Sequence, residues 1–191
     1  ALIPAYEPDD RLITLLKELA NTAFDAIVID DGSGWKYQEI FDKAKNYATV
    51  LSHEKNRGKG AALKSGYEYI KEHYKGKYVI VTMDSDGQHT VQDAIKLCEK
   101  LLQNPEKLII GKRNFSKDVP LRSKFGNACT RVVYRLATGI RVYDTQSGLR
   151  AFDNSLIDFM LEVKGQRYEY EMNVLMECQK NNIQIMEEDI E

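Results

Sequence analysis

Two carboxylates one residue apart, Asp84 and Asp86, stand directly after the apolar run Tyr78–Thr82, in Met83-Asp84-Ser85-Asp86-Gly87-Gln88-His89. Acids this close in a sequestered place repel each other unless a cation joins them. Hard oxygen donors of this kind suit Mg2+ or Mn2+, with diphosphate oxygens completing the shell. A solvated acidic turn is the alternative, and the strongly apolar run before it weighs against that. An earlier cluster, Ile29-Asp30-Asp31-Gly32-Ser33, repeats the arrangement after Ala26–Ile29. A carboxylate there can accept hydrogen bonds from a nucleobase or ribose, or it can cap a following helix. Asn56-Arg57-Gly58-Lys59-Gly60 has the glycines and cation of an anion cradle at a helix start. It fails as a Walker A loop, and no GxGxxG pattern fits. Lys59 therefore reads as a structural or peripheral charge rather than a ligand contact. His53, His73 and His89 have no metal-ligand spacing, and His89 reads as accessory to the acidic cluster.

These clusters need elements to hold them. Short β-branched runs at 26–29, 49–51, 78–83 and 107–111 alternate with amphipathic stretches at 11–20, 35–47, 61–74 and 91–102. A later helix over 169–181 precedes a short strand at 183–186. Continuous apolar strands separated by helices predict an α/β fold with a mostly parallel sheet covered on both faces. In open sheets of this kind ligands bind beyond the carboxyl ends of the strands, where the polar clusters fall.

Across 191 residues, 27 Lys and Arg face 29 Asp and Glu, a net charge of −2. No global basic field exists, so the composition speaks against nucleic-acid binding. The exception is local: residues 112–135 hold seven Lys or Arg and one acid, Asp118. Charged residues break every apolar run well short of the ~18–20 residues a membrane span needs. Three cysteines without a CxxC fit neither a disulfide framework nor a zinc site and read as reduced thiols of a cytosolic protein.

Taken in order, six pieces resemble the inverting GT-A glycosyltransferases of family 2, and more narrowly the polyprenyl-phosphate (dolichyl-phosphate) glucosyl and mannosyl transferases. They are Pro4-Ala5-Tyr6, Ile29-Asp30-Asp31-Gly32-Ser33, Asn56-Arg57-Gly58-Lys59-Gly60, Asp84-Ser85-Asp86-Gly87-Gln88, Gly111-Lys112-Arg113 and Asp144-Thr145-Gln146-Ser147-Gly148-Leu149-Arg150. The resemblance implies a Rossmann-like GT-A domain over 1–191, with further C-terminal segments, including membrane helices, in many family members. It implies transfer of a hexose from a nucleoside diphosphate sugar to a polyprenyl phosphate at the cytosolic membrane face, aided by Mg2+ or Mn2+. UDP-glucose is favoured as donor, with GDP-mannose or a saccharide acceptor as the near alternative. By position, Pro4, Ala5, Tyr6, Ile29 and Asp31 would line the nucleoside pocket, with Ser85 beside the nucleotide. Glu7 stands where family members commonly have Asn-Glu, and would be a further contact. Asp84, Asp86 and Gln88 would hold the metal. Arg113 and Arg122 would face the phosphates, Asp144 would orient or activate the acceptor, and Arg150 would pair with a phosphate or with Asp144.

Two readings come from other classes. Asp84-Ser85-Asp86-Gly87 also resembles the Asp-x-Asp-Gly of haloacid-dehalogenase-like phosphatases, although it follows a later strand and Gln88 comes next. A non-catalytic nucleotide-sugar binder would keep the pocket and lack turnover.

Overall fold

The computed structural model describes residues 1–113 and 147–191. Its strands are β1 (Leu2–Ala5), β2 (Ile27–Asp30), β3 (Thr49–Ser52), β4 (Val79–Thr82), β5 (Leu108–Arg113), β6 (Arg150–Asp153) and β7 (Ile185–Ile190). Its helices are α1 (Arg11–Leu19), α2 (Gln38–Ala44), α3 (Lys59–His73), α4 (Val91–Gln103), α5 (Ile157–Glu162) and α6 (Glu169–Lys180). The strands form one sheet in the order β3-β2-β1-β4-β6-β5-β7. All pairings are parallel except those of β6, which runs antiparallel to both β4 and β5.

The alternation of side chains along each strand splits the core in two. Ile3, Val28, Val81, Ile109 and Ala151 face α1, α2 and α4. Leu2, Ile27, Ile29, Ile80, Ile110 and Phe152 face α3, α5 and α6. Both faces are apolar because both are covered, which is why these strands read as unbroken hydrophobic runs.

Three local readings change. The stretch 35–47 begins with a turn of 3-10 helix, Trp35–Tyr37, before α2. The last strand is Ile185–Ile190, later and longer than its apolar start suggests, since Glu187 to Asp189 complete the ladder with β5. Strand β1 and helix α5 are not among the elements expected from the sequence, and neither is β6. Its Arg-Ala-Phe-Asp has only two apolar residues, and only its seat between β4 and β5 makes it a strand.

Connections leave β1 in one direction toward β2 and β3 and return on the other side to β4. The β1–β4 boundary is therefore the switch point of the sheet, where a crevice opens at the carboxyl ends. Tyr6 and Asp84 follow those two strands.

Candidate functional site

A cavity of about 450 Å³ lies at this switch point. Pro4, Ala5 and Tyr6 line it from the end of β1, and Asp31 from the end of β2. Asp84, Ser85 and Asp86 enter beyond β4, and Asn56, Gly58, Lys59 and Ala62 from the start of α3. Arg167 and Tyr168 close it from the loop before α6.

Asp31 is 3% exposed, and its carboxylate is taken up by its neighbours. The backbone N–H groups of Arg57 and Gly58 donate to it at 2.9 and 2.7 Å. His53 Nδ1 lies 2.7 Å from Asp31 Oδ1, and His53 Nε2 lies 2.9 Å from Ser65 Oγ. The acid thus braces the 56–58 loop and the start of α3. The Ser65–His53–Asp31 chain resembles a hydrolytic triad in contact order, but neither Ser65 nor His53 lines the cavity. Gly58 stands just before α3 at φ +101°, and a Cβ there would lie 2.5 Å from Arg167 Cγ. Only a glycine combines this backbone conformation with that approach.

Across the crevice, Lys59 Nζ sits 2.7 Å from Asp84 Oδ1 and 2.9 Å from Glu171 Oε2. Burial favours the uncharged form of Asp84, but the Lys59 ammonium outweighs it and holds the carboxyl below its ordinary range. Burial likewise opposes the charge on Lys59, and Glu171 and Asp84 together raise its pKa above the usual value. The Asp84 backbone N–H donates to Nδ1 of the buried His89 at 3.2 Å, fixing the turn from below. Asp86 Oδ1 accepts the Gln88 N–H at 3.0 Å.

Several expected contacts fall elsewhere. Ile29 is fully buried in the apolar face toward α3, because strand alternation points it away from the cavity. Glu7 is exposed and outside the cavity lining; the chain turns there at φ +50°, with its N–H donating to Ser33 Oγ at 2.9 Å. The exposed Gln88 is not brought to the cavity with Asp84 and Asp86. Arg150, read as a phosphate or Asp144 partner, is 5% exposed beneath the site. Its Nε donates to the Ser147 carbonyl at 3.1 Å and its Nη1 to the Glu171 carbonyl at 2.8 Å, so it ties β6 to α6. Arg122 and Asp144 lie outside the described residues, as does the side chain of Arg113.

Lys59 is the reverse case. Its seat in Gly-Lys-Gly at a helix start was the available signal, but the two acids that hold it come from distant segments. Arg167, Tyr168 and Glu171 carried no motif at all.

Among the described residues no group of three or more His, Cys, Asp or Glu gathers to hold a metal. Two carboxylates on one cavity wall, with an ammonium already against one of them, nonetheless suit a hard divalent ion. Such an ion takes its remaining ligands from phosphate and water. The residues present fit the group.

Glycosyl transferase family 2 matches residues 1–162 as a family pattern. The chain belongs to this family. A UDP-N-acetylglucosamine–dolichyl-phosphate N-acetylglucosaminyltransferase of Methanococcus voltae is 31% identical over 208 residues, covering 97% of this chain and 82% of that protein. A dolichyl-phosphate beta-glucosyltransferase of Trichomonas vaginalis is 24% identical over 217 residues, covering 100% of this chain and 64% of that protein. In fold, the family 2 chain resembles glucosyl-3-phosphoglycerate synthase of Mycobacterium tuberculosis, solved with Mn2+, UDP and glucosyl-3-phosphoglycerate. The TM-score is 0.70 at 19% identity, over 99% of this chain and 69% of that one. The architecture is thus GT-A, and membership of a glycosyltransferase family sets the phosphatase reading aside. No helix among the described residues is long and apolar enough to cross a membrane.

Proposed function

We propose that this family 2 glycosyltransferase moves a hexose from a UDP-sugar to a polyprenyl phosphate at the cytosolic face of a membrane, with inversion at the anomeric carbon. The observation that supports it best is the cavity at the β1–β4 switch point, which gathers Pro4-Ala5-Tyr6, Asp31 and Asp84-Ser85-Asp86. Pro4, Ala5, Tyr6 and Ser85 surround the nucleoside in this reading, and Asp31 braces the loop beside it. Asp84 and Asp86 hold Mg2+ or Mn2+, which neutralises diphosphate charge when bound. Lys59 and Arg167 supply positive charge from the opposite wall, with Arg113 and Arg122 of the basic segment adding to it.

A phosphate monoester has its second pKa near 6, so a polyprenyl phosphate is largely dianionic at neutral pH and needs little help from a base. Asp144 therefore serves mainly to orient the acceptor.

UDP-glucose is the donor favoured by the Asp-Thr-Gln-Ser-Gly form of residues 144–148. The Methanococcus voltae relative, named for UDP-N-acetylglucosamine, supports that sugar as a second reading. The experiment incubates the full-length protein with polyprenyl phosphate and radiolabelled UDP-glucose, UDP-N-acetylglucosamine or GDP-mannose, and extracts the lipid product. Label in the lipid phase from a UDP-sugar is expected. Label from GDP-mannose alone, or transfer only to a saccharide, would overturn the assignment.

A further inference from the structure

Lys59 is gripped from two sides, by Asp84 at 2.7 Å and by Glu171 at 2.9 Å, and it lines the cavity. Its side chain is 16% exposed and that of Glu171 is 12% exposed, while that of Asp84 opens further to the cavity at 31%. Glu171 stands beyond residues 1–162, the part matched by the family pattern.

Asp84 is also one of the two carboxylates read above as holding the divalent ion. The ammonium holds Oδ1 of Asp84 and Gly148 packs against Oδ2, so a divalent cation on this carboxylate comes close to the ammonium in a poorly screened crevice. Their repulsion favours withdrawal of one of them. The lysine can withdraw, because its ammonium is a compact charge with three N–H donors on a stem of four flexible carbons. Glu171 cannot follow far. It follows Tyr170, which is buried with its hydroxyl donating to the Met160 carbonyl at 2.7 Å, and its own carbonyl holds Arg150.

We propose that Lys59 is an exchangeable cation. It neutralises Asp84 while the cavity is empty, and it yields Asp84 to the divalent ion on loading. Tethered by Glu171, its ammonium then turns to the diphosphate oxygens. Glu171 is a positioning residue in this scheme: it keeps the displaced ammonium inside the cavity. The proposal rests on the metal-and-donor reading above, and it adds a consequence which that reading lacks. Lys59 should oppose binding of the bare metal while favouring binding of the nucleotide.

The test measures Mn2+ binding without nucleotide, from the spin-resonance signal of free Mn2+, and UDP binding at saturating Mn2+ by calorimetry. Lys59→Met removes the competing ammonium but leaves an extra negative charge. The double variant Lys59→Met with Glu171→Gln restores the local charge of the wild type and spares the fold an unpaired buried acid. In the double variant Mn2+ should bind at least roughly fivefold more tightly than in wild type, while UDP should bind roughly tenfold more weakly. Opposite movement of the two affinities is the signature, since a purely structural lysine would weaken both. Mn2+ affinity in the double variant equal to or below that of wild type would overturn the exchange. Wild-type UDP binding that is indifferent to Mn2+ would instead overturn the underlying metal reading, so the two failures are separable.

Discussion

Gly148 lies directly over the Asp84 carboxylate: a Cβ at position 148 would sit 2.4 Å from Oδ2 and 2.6 Å from Oδ1. The contact joins the chain just before β6 to the turn after β4, and the Thr82 hydroxyl strengthens it by donating to the Gly148 carbonyl at 2.8 Å. The position of one acid thus depends on the absence of a side chain 64 residues later.

Gly148→Ala should therefore push Asp84 out of place without dismantling the sheet. Mn2+-supported UDP affinity should fall by about tenfold or more, with cooperative unfolding retained. Calorimetry with UDP and a thermal melt check this. Unchanged UDP affinity would mean that Asp84 has no part in donor binding.

Metal removal gives a second outcome. Without Mg2+ or Mn2+, the Asp84 and Asp86 carboxylates face the diphosphate with Lys59 and Arg167 as the cations that line the cavity among the described residues. UDP should bind far more weakly in chelator, and Asp86→Asn should lose much of the difference between the two conditions. Equal affinities in chelator and in Mn2+ would refute the metal role.

The Asp84 carboxyl also fixes a pH window. Its folded-state pKa is held below the ordinary 3.8, so its contribution to stability is fully present above that value and is lost as pH falls through the lower folded-state value. The raised pKa of Lys59 acts in the opposite direction. Its contribution is complete below 10.5 and is lost only at higher pH. The stability gap between wild type and Asp84→Asn should stay flat from about pH 5 to about pH 9 and shrink below about pH 4. Chemical denaturation across pH measures it.

Arg150 should behave as a brace. Arg150→Met leaves the Ser147 and Glu171 carbonyls without their guanidinium donors and should cost about 3 kcal/mol of stability. At temperatures where the variant is folded, UDP affinity should change by less than about threefold. Denaturant melts and calorimetry separate the two effects.

Burial raises the Cys98 thiol to about 11 and the Cys178 thiol to about 12. In a Cys129→Ser background, a thiol-reactive disulfide reagent at pH 8 should label neither in the native protein and both in denaturant. Rapid native labelling of Cys178 would mean that the core around α6 opens readily.

The covered faces of the sheet were legible in the sequence, because a buried parallel strand must be apolar throughout and Val79–Thr82 or Leu108–Ile110 can be little else. The acidic turn after β4 could likewise be read, because backbone geometry delivers residues at strand ends to one edge of the sheet, whereas Pro4-Ala5-Tyr6 was reached through the family resemblance and not through an expected strand. Strand β6 was not legible, since its two apolar residues become a strand only when β4 and β5 offer their open edges on either side. Nor were the roles of Lys59 and Arg150. Both are cations in suggestive motifs, and neither motif says which distant segment holds the charge. What separates them is where α6 docks: its Glu171 side chain turns Lys59 toward the cavity, while its Glu171 carbonyl ties Arg150 beneath it. Local spacing fixes which residues share a strand end or a helix face. The partner of a buried charge is set by the packing of separate segments, 21 residues apart for Arg150 and Glu171 and 112 for Lys59 and Glu171, and only the tertiary structure decides it.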